Sequence, residues 1–192
     1  EANVQPGESV MIVGAGGLGV NLIKAAKIVG AHPVISVDIH EHKRESTRAL
    51  GADLYINVAT QDISETLFKE LGIKDVDVII ETSGAKQSLE ITIQLLSGGG
   101  RYILVGQPKP GETIELKNAL HLFGGEGKMI KATQGGKFSP TKEIPHYIKL
   151  HASGVLTIND LVTHRVNLSE INEAIDLVRK GMAGRILIDI SS

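Results

Sequence analysis

Short apolar runs alternate with stretches of helical periodicity over the first half of the chain. The runs are almost continuous in Val, Ile and Leu, which is typical of strands buried on both faces of a parallel sheet. We predict strands at residues 10–13, 34–37, 54–58, 75–81 and 101–105. Between them, apolar residues recur at helical spacing, as in Leu18, Leu22, Ala26 and Val29. This alternation through residue 105 predicts a parallel sheet covered on both faces.

The alternation weakens after residue 107. The elements predicted there are a short helix at 116–123, a sixth strand at 128–133, a helix at 139–152, extended pieces at 161–166, an amphipathic helix at 168–180 and a strand at 185–190. We expect Gly98-Gly99-Gly100 to end a helix before the fifth strand, and Gln134-Gly135-Gly136 to interrupt the architecture. The pattern therefore predicts a first domain at residues 1–134 and a C-terminal segment at 135–192.

A glycine motif joins the first strand to the first helix, with the sequence Gly14-Ala15-Gly16-Gly17-Leu18-Gly19. Gly14 allows a tight turn, Gly16 lets a pyrophosphate approach the backbone, and Gly19 permits close packing of the helix. The helix start adds N–H groups and a positive dipole end. Asp38 ends the second strand, where its carboxylate can accept both hydroxyls of a ribose. The combination is typical of a dinucleotide-binding βαβ unit, and an ordinary glycine-rich turn is the alternative.

The composition narrows the function without naming it. The 192 residues are 42% hydrophobic and 22% charged with a net charge of −2, which gives no electrostatic footprint for nucleic acid or an anionic membrane. There are no cysteines, so this chain contains neither disulfides nor cysteine-ligated metals. No apolar run approaches 18 residues and the N-terminus lacks signal-peptide character, so we expect a cytoplasmic protein. Because the chain begins at Glu1, we expect a fragment or a processed product.

Further motifs follow one another along the whole chain. They are V-x-P-G-E-x-V before the first strand, V-D-I at 37–39, L-G-A-D at 50–53, D-V-I-I-E-T-S-G at 77–84, L-V-G at 104–106, L-V-T-H-R at 161–165, I-N-E-A at 171–174 and G-R-I-L-I at 184–188. Together with the glycine motif, this order resembles the medium-chain dehydrogenase/reductase superfamily, most closely its zinc-dependent alcohol dehydrogenase branch. The resemblance implies a Rossmann-type α/β fold: a doubly wound six-stranded parallel sheet with helices on both faces, plus a small C-terminal α/β extension.

The resemblance also implies NAD as the cofactor and assigns residues to each part of it. Beneath the pyrophosphate it places Gly14, Gly16, Gly17, Leu18 and Gly19, with Arg185 reaching back as a cation. At the adenosine end it places Asp38 and Lys43 on the ribose, Ile39 beside the adenine, and Thr82 and Ser83 at the border. At the nicotinamide it places Val105, Gly106, Gln107, Ala132 and Gln134.

One departure from the family limits what this chain can do alone. Family members carry a catalytic domain before the Rossmann unit, and that domain supplies the zinc ligands and the proton relay. This chain starts where that domain ends, so the resemblance implies an NAD-binding part with no catalytic or metal-binding residue of its own. Zinc is expected only in the missing domain, and residues 135–192 would return to it. We expect this chain to bind the cofactor without oxidising an alcohol.

Several polar residues have a second interpretation. We expect His40 and His42, in a charged stretch, to contact solvent rather than a metal, and His164 to be structural. Arg185 can instead be a surface partner of a carboxylate. The absence of an arginine directly after Asp38 favours NAD, because a carboxylate repels the phosphate of NADP. Lys43 and Arg44 keep NADP open.

The leading hypothesis is the NAD-binding part of an alcohol or polyol dehydrogenase, positioning the nicotinamide for hydride transfer with a small alcohol or carbonyl substrate. The alternatives are the cofactor-binding part of a zinc-free quinone or enoyl reductase, a non-catalytic nucleotide-sensing module and, as the weakest, a methyltransferase-like domain. Neither nucleic acid nor a membrane is an expected partner. The predicted sixth strand would be a sheet edge, which favours a homo-oligomer paired through it.

Overall fold

The computed structural model describes residues 1–124 and 127–190. The strands are β1 (Val10–Val13), β2 (Val34–Asp38), β3 (Leu54–Asn57), β4 (Val76–Glu81), β5 (Leu96–Leu104), β6 (Met129–Ala132), β7 (Val162–Asn167) and β8 (Arg185–Asp189). The α-helices are α1 (Gly19–Ile28), α2 (Arg44–Ala49), α3 (Ile63–Leu71), α4 (Lys86–Thr92), α5 (Ala119–Phe123), α6 (Pro140–Ala152) and α7 (Ile171–Arg179). Short 3₁₀ turns lie at Glu41–Lys43, Ile93–Leu95, Asn159–Leu161 and Leu168–Glu170. Within the described ranges, no helix has the length and apolar character needed to cross a bilayer.

Six of these strands form one parallel sheet in the order β3-β2-β1-β4-β5-β6. The register aligns the carboxyl ends of the central strands, because Val13 pairs with Val37 on one side and with Glu81 on the other. The chain runs outward from β1 to β3 and then returns to β4, on the other side of β1. Ligands of doubly wound sheets bind at such a reversal, beyond the carboxyl ends of the strands. The predicted Rossmann-type sheet is confirmed.

Each face of the sheet buries its own apolar cluster. In β1, Val10 and Ile12 belong to one cluster and Met11 and Val13 to the other, as the alternation of side chains along a strand requires. Helix α1 supplies Ile23 to the first cluster, and α3 and α4 supply the second. Helices therefore cover both faces, which explains why the predicted strands are continuous in apolar residues.

The buried face of α1 differs from the predicted stripe. Gly19, Ile23 and Ala26 are buried, whereas Leu18 is 48% exposed and Val29 is 44% exposed. Leu18 precedes the first residue of the helix and lies in the loop that bounds the candidate site. Ala26 is buried and Leu22 packs against the same cluster, so the predicted stripe fails at its two ends, where Leu18 and Val29 flank the helix.

Gly98-Gly99-Gly100 lies inside β5 rather than before it. Leu96 is buried and pairs with Val76, and the next paired residue is Arg101, opposite Val78. Residues 97–100 therefore bulge out of the ladder. The prediction that this triplet ends the helix is wrong, because the buried Leu96 already belongs to the sheet. The glycines serve the bulge: the middle one has φ of +70°.

Residues beyond 134 form a small α/β unit, as predicted. β7 and β8 pair in parallel as a separate two-stranded sheet, and α6 and α7 accompany them. The buried Lys24 of α1 attaches this unit, because its ammonium donates to the carbonyl and hydroxyl oxygens of Thr157 at 2.6 Å and pairs with Asp160. The apolar residues Ile144 and Ile148 of α6 are exposed. The domain boundary at residue 134 stays a prediction.

Candidate cofactor-binding site

A cleft of about 360 Å³ opens beyond the carboxyl ends of β1, β2 and β4. Its walls are the loops that follow these three strands. The predicted cofactor residues that line it are Gly14, Gly16, Gly17, Leu18, Asp38, Ile39, Lys43, Thr82 and Ser83. The lining residues that the sequence did not indicate are Val13, Val37, His40, Val58, Ala85 and Ser88. The sheet register thus brings three separate motifs to one site.

The glycines of the turn differ in what a side chain would meet. Gly14 has φ of +94°, and a Cβ there would lie 2.7 Å from Oγ1 of Thr82. A Cβ at Gly19 would lie 1.9 Å from the carbonyl oxygen of Gly14, so Gly19 is packed beneath the cleft and does not line it. A Cβ at Gly16 would meet nothing within 4 Å. The space over Gly16 is therefore open, as the approach of a phosphate to the backbone requires.

Two side chains organise the loop after β4, and one of them, Thr82, ties it to the glycine turn. Oγ1 of Thr82 donates to the carbonyl oxygens of Val13 and Gly14, at 2.9 and 3.0 Å. The fully buried carboxyl group of Glu81 accepts the backbone N–H groups of Ser83 and Gly84, at 2.9 and 3.0 Å. Glu81 was not predicted as a site residue. Its position directly before the T-S-G turn was the available signal.

The carboxylate of Asp38 receives four hydrogen bonds from its own chain. Oδ2 accepts the backbone N–H of Ala15 at 2.7 Å and the ammonium of Lys43 at 3.0 Å. Oδ1 accepts the backbone N–H of His40 at 3.0 Å and lies 2.9 Å from Nδ1 of the same residue. Burial acts to raise the pKa of Asp38, but the hydrogen bonds from Lys43, His40 and Ala15 outweigh it and hold the pKa below its ordinary value.

A second group of predicted residues does not line this cleft. Its members are Val105, Gly106, Gln107, Ala132 and Gln134. They nevertheless continue the same edge of the sheet. A Cβ at Gly84 would lie 2.4 Å from the carbonyl oxygen of Gln107, so the loops after β4 and β5 touch. Ala132 pairs with Leu104 at the carboxyl end of β5. Their contact with a nicotinamide stays a prediction.

Arg185 lies in the C-terminal unit, beside a residue that packs against the glycine turn. It begins β8 directly after Gly184, and the Gly184 carbonyl oxygen lies 3.0 Å from the position of a Cβ on Gly17. The chain at residue 184 is therefore packed against the glycine turn. Arg185 itself is exposed. The ion pair of Arg185 with a pyrophosphate stays a prediction.

The expectation that His40 and His42 contact only solvent is wrong. The His40 ring approaches Oδ1 of Asp38, and Nε2 of His42 lies 3.3 Å from the carbonyl oxygen of Gly181. Spacing of two residues from the end of β2 was the only sequence signal for His40. Within residues 1–124 and 127–190, no three His, Asp or Glu side chains converge in a way that could hold a metal ion.

Comparison with known proteins relates this fold and cleft to dehydrogenases. The family model described as zinc-binding dehydrogenase matches residues 17–153. L-threonine 3-dehydrogenase of Vibrio cholerae is 30% identical over 184 residues, which are 95% of this chain and 51% of that protein. This chain thus spans about half the length of the curated relatives that it matches.

Solved structures give the same picture. Benzyl alcohol dehydrogenase of Acinetobacter calcoaceticus superposes with a TM-score of 0.89 at 32% identity, over 99% of this chain and 51% of that one. Two chains of the same fold, each 22% identical over 98% of this chain and 54% of their own length, carry different cofactors. The alcohol dehydrogenase of E. coli CFT073 (TM-score 0.83) was solved with NADH, and a zinc-binding dehydrogenase of Sinorhizobium meliloti (TM-score 0.80) with NADP. The fold by itself therefore does not choose between them.

Proposed function

This chain belongs to the zinc-binding dehydrogenase family, and we propose that it is the NAD-binding part of an alcohol or polyol dehydrogenase. The observation that carries the proposal is the buried carboxylate of Asp38 in the same cleft as the open backbone of Gly16. An acid for a ribose and a side-chain-free approach for a pyrophosphate are two features of NAD binding in this fold. When bound, the nicotinamide supplies the hydride chemistry, and the protein supplies binding and orientation.

In this proposal, each of the three loops binds a different part of the cofactor. The glycine turn and the positive end of α1 bind the pyrophosphate, and Arg185 adds a cation. Asp38 and Lys43 bind the adenosine ribose, and Ile39 covers the adenine. Two further residues close the adenine end, Thr82 and Ser83. The Thr82 hydroxyl donates to the Val13 carbonyl oxygen of β1, and the Ser83 backbone N–H donates to Glu81. These bonds support the view that this half of the site is organised before the cofactor arrives.

The nicotinamide half lies further along the sheet edge. We place the ring beside Val105, Gly106 and Gln107, with its carboxamide toward Ala132 and Gln134. Support comes from the order of the strands, because β5 and β6 continue the edge that begins at β2 and β1. The small alcohol or carbonyl substrate, and the zinc ion of the family, would be held by the rest of a complete enzyme.

The choice of NAD over NADP rests on the charges around Asp38. A 2′-phosphate would have to approach this carboxylate, which repels it. Of the neighbouring cations, Lys43 is paired with Asp38 and Arg44 is directed elsewhere. Arg44 pairs with Glu41 and donates to the carbonyl oxygen of Tyr55 at 3.0 Å, and it does not line the cleft.

We also propose that a complete enzyme associates through β6. Within the described residues, β6 pairs with β5 alone, and Met129 and Ile130 are exposed on it. An exposed strand edge with apolar side chains favours pairing with a second copy. Light scattering that gives only monomers at high protein concentration would contradict this part of the proposal.

Fluorescence titration with NADH and NADPH tests the proposed function directly. We expect NADH to bind the chain and NADPH to bind at least about tenfold more weakly, because the latter brings a phosphate dianion to Asp38. Equal or tighter binding of NADPH would overturn the assignment of NAD. Failure of both nucleotides to bind would overturn the proposed function as a whole.

A further inference from the structure

The acceptor capacity of Asp38 is fully used by its own chain. An ionised carboxylate offers about four lone-pair sites. Oδ2 accepts from the backbone of Ala15 and from Lys43, and Oδ1 accepts from the backbone and the ring of His40. A ribose diol needs two of these sites for its own hydroxyl groups. Cofactor binding therefore requires that donors already in place give way.

The four donors differ in how easily they can leave. The N–H groups of Ala15 and His40 belong to the backbone of the turns that follow β1 and β2, so they stay. Lys43 has a long flexible stem and can move its ammonium onto the oxygen of a bound hydroxyl, because a hydroxyl accepts as well as donates. His40 follows Asp38 by two residues and has a short side chain. Its ring and its backbone N–H both contact Oδ1 of Asp38. Its ring N–H is the donor in direct competition with a ribose hydroxyl.

The contact of the His40 ring with Asp38 shows which ring nitrogen carries a hydrogen. The carboxylate can only accept, so Nδ1 of His40 must carry the hydrogen. The ring also packs against the loop that follows α7, since a Cβ on Gly181 would lie 3.1 Å from its Cε1 atom. The His40 side chain is 35% exposed, so its open side faces water. Displacement of the ring from Asp38 therefore leads toward solvent.

We propose that His40 is an internal competitor of the adenosine ribose, whose hydroxyl displaces the ring N–H from Oδ1 of Asp38 when the cofactor binds. This inference rests on the proposed function, because it requires Asp38 to be the ribose acceptor. It makes His40 a residue that lowers affinity for any ligand with an adenosine diol.

The test replaces the ring donor and keeps the ring. His40→Phe retains the packing against Gly181 and the backbone N–H to Asp38 but removes the ring N–H. We expect it to bind ADP and NADH roughly three- to tenfold more tightly than the wild-type chain, the equivalent of one hydrogen bond. His42→Phe is the matched control, because His42 contacts the Gly181 carbonyl and not Asp38. Its affinity should equal that of the wild type.

A second ligand separates competition from steric relief. We use 2′,3′-dideoxyadenosine diphosphate, which keeps the adenine and both phosphates and lacks the diol. The gain of His40→Phe should appear with ADP and be absent with the dideoxy nucleotide. An equal gain with both ligands, or no gain with ADP, would overturn the inference. Absence of any NADH or ADP binding to the wild-type chain would instead overturn the proposed function, and the inference with it.

A measurement on the wild-type chain covers the case in which His40→Phe does not fold. The imidazole ¹⁵N spectrum reports whether Nδ1 of His40 donates to a carboxylate. Saturation with ADP should change the Nδ1 signal, and saturation with the dideoxy nucleotide should leave it in place. An Nδ1 signal that is unchanged at saturation with ADP would contradict the displacement.

Discussion

The backbone N–H of Ala15 donates a 2.7 Å hydrogen bond to Oδ2 of Asp38. This bond joins the middle of the glycine turn after β1 to the acid at the end of β2, two parts of the motif that the sequence presents separately. The turn that faces a pyrophosphate and the carboxylate that faces a ribose are therefore one hydrogen-bonded unit. A change in Asp38 is expected to disturb both parts of the site.

Asp38→Asn should weaken NADH binding by more than about tenfold, since the variant loses the charge and presents an amide where Oδ2 or Oδ1 accepts hydrogen bonds. The preference for NADH over NADPH should also narrow, because the repulsion of a 2′-phosphate disappears. Titration of both nucleotides measures each effect. Asp53→Asn is the control: Asp53 also accepts a backbone N–H, from Val34 at 2.7 Å, but lies outside the cleft. An unchanged NADH affinity in Asp38→Asn would contradict the proposed ribose site.

Gly16→Ala and Gly19→Ala should separate binding from folding. The methyl group at Gly16 meets no protein atom within 4 Å, so the free energy of unfolding should change by less than about 1 kcal/mol. NADH affinity should nevertheless fall steeply, because the methyl group occupies the approach of the pyrophosphate. At Gly19 the methyl group would lie 1.9 Å from the Gly14 carbonyl oxygen. We therefore expect the free energy of unfolding to fall by roughly 3 kcal/mol or more. Urea unfolding and NADH titration measure both. A strongly destabilised Gly16→Ala would contradict the steric assignment.

Ser36→Ala should leave the free energy of unfolding unchanged or raise it by about 1 kcal/mol. Oγ of Ser36 is fully buried in β2 and, among the described residues, has no hydrogen-bond partner. Burial of this unpaired hydroxyl destabilises the folded state, and the alanine variant removes that penalty. Ser9→Ala is the matched comparison, because Oγ of Ser9 donates to Asp77 at 2.7 Å and accepts its backbone N–H at 2.9 Å. The free energy of unfolding of Ser9→Ala should be about 1–2 kcal/mol below that of the wild type. Urea unfolding measures the stability of both variants. A destabilised Ser36→Ala variant would contradict the prediction that the Ser36 hydroxyl is unpaired.

The chain should become less stable in acid. Among the carboxyl groups with a lowered pKa are those of Asp38, Asp53, Asp77 and Asp160. Burial acts to raise each of these pKa values, but hydrogen bonds outweigh it and hold the pKa below the ordinary value. Each contributes stability that is fully present above the unfolded-state pKa of about 3.9 and is lost as the pH falls through the folded-state pKa. Urea midpoints should therefore be flat between about pH 7 and 5 and fall below about pH 4.

Asp77→Asn offers a control for the acid prediction. Burial acts to raise the pKa of Asp77, but its hydrogen bonds with Ser9 and Ser97 outweigh burial and lower the pKa. The variant should be less stable than the wild type at pH 7 and should lose less stability between pH 5 and 3.5. A wild-type midpoint that rises as the pH falls through this range would contradict the sign of the effect.

Local sequence patterns were sufficient for most of the fold. The strands were predictable because a sheet covered on both faces favours unbroken apolar runs, and β1 is such a run. The glycine turn and Asp38 were predictable because their chemistry depends on residue type and spacing within one βαβ unit. The bulge at residues 97–100 was not, since it depends on Leu96 pairing with Val76, a strand earlier in the chain.

By itself, the sequence determined the parallel sheet, the position of the glycine turn and the acid that ends β2, because these follow from local periodicity and backbone freedom. Only the tertiary structure decided how the parts meet. It brought Ala15 onto Asp38, placed the loop after β4 against the turn through Thr82, and set the His40 ring on the carboxylate. Those contacts depend on the register of neighbouring strands and on side-chain packing, which no single segment of the sequence contains.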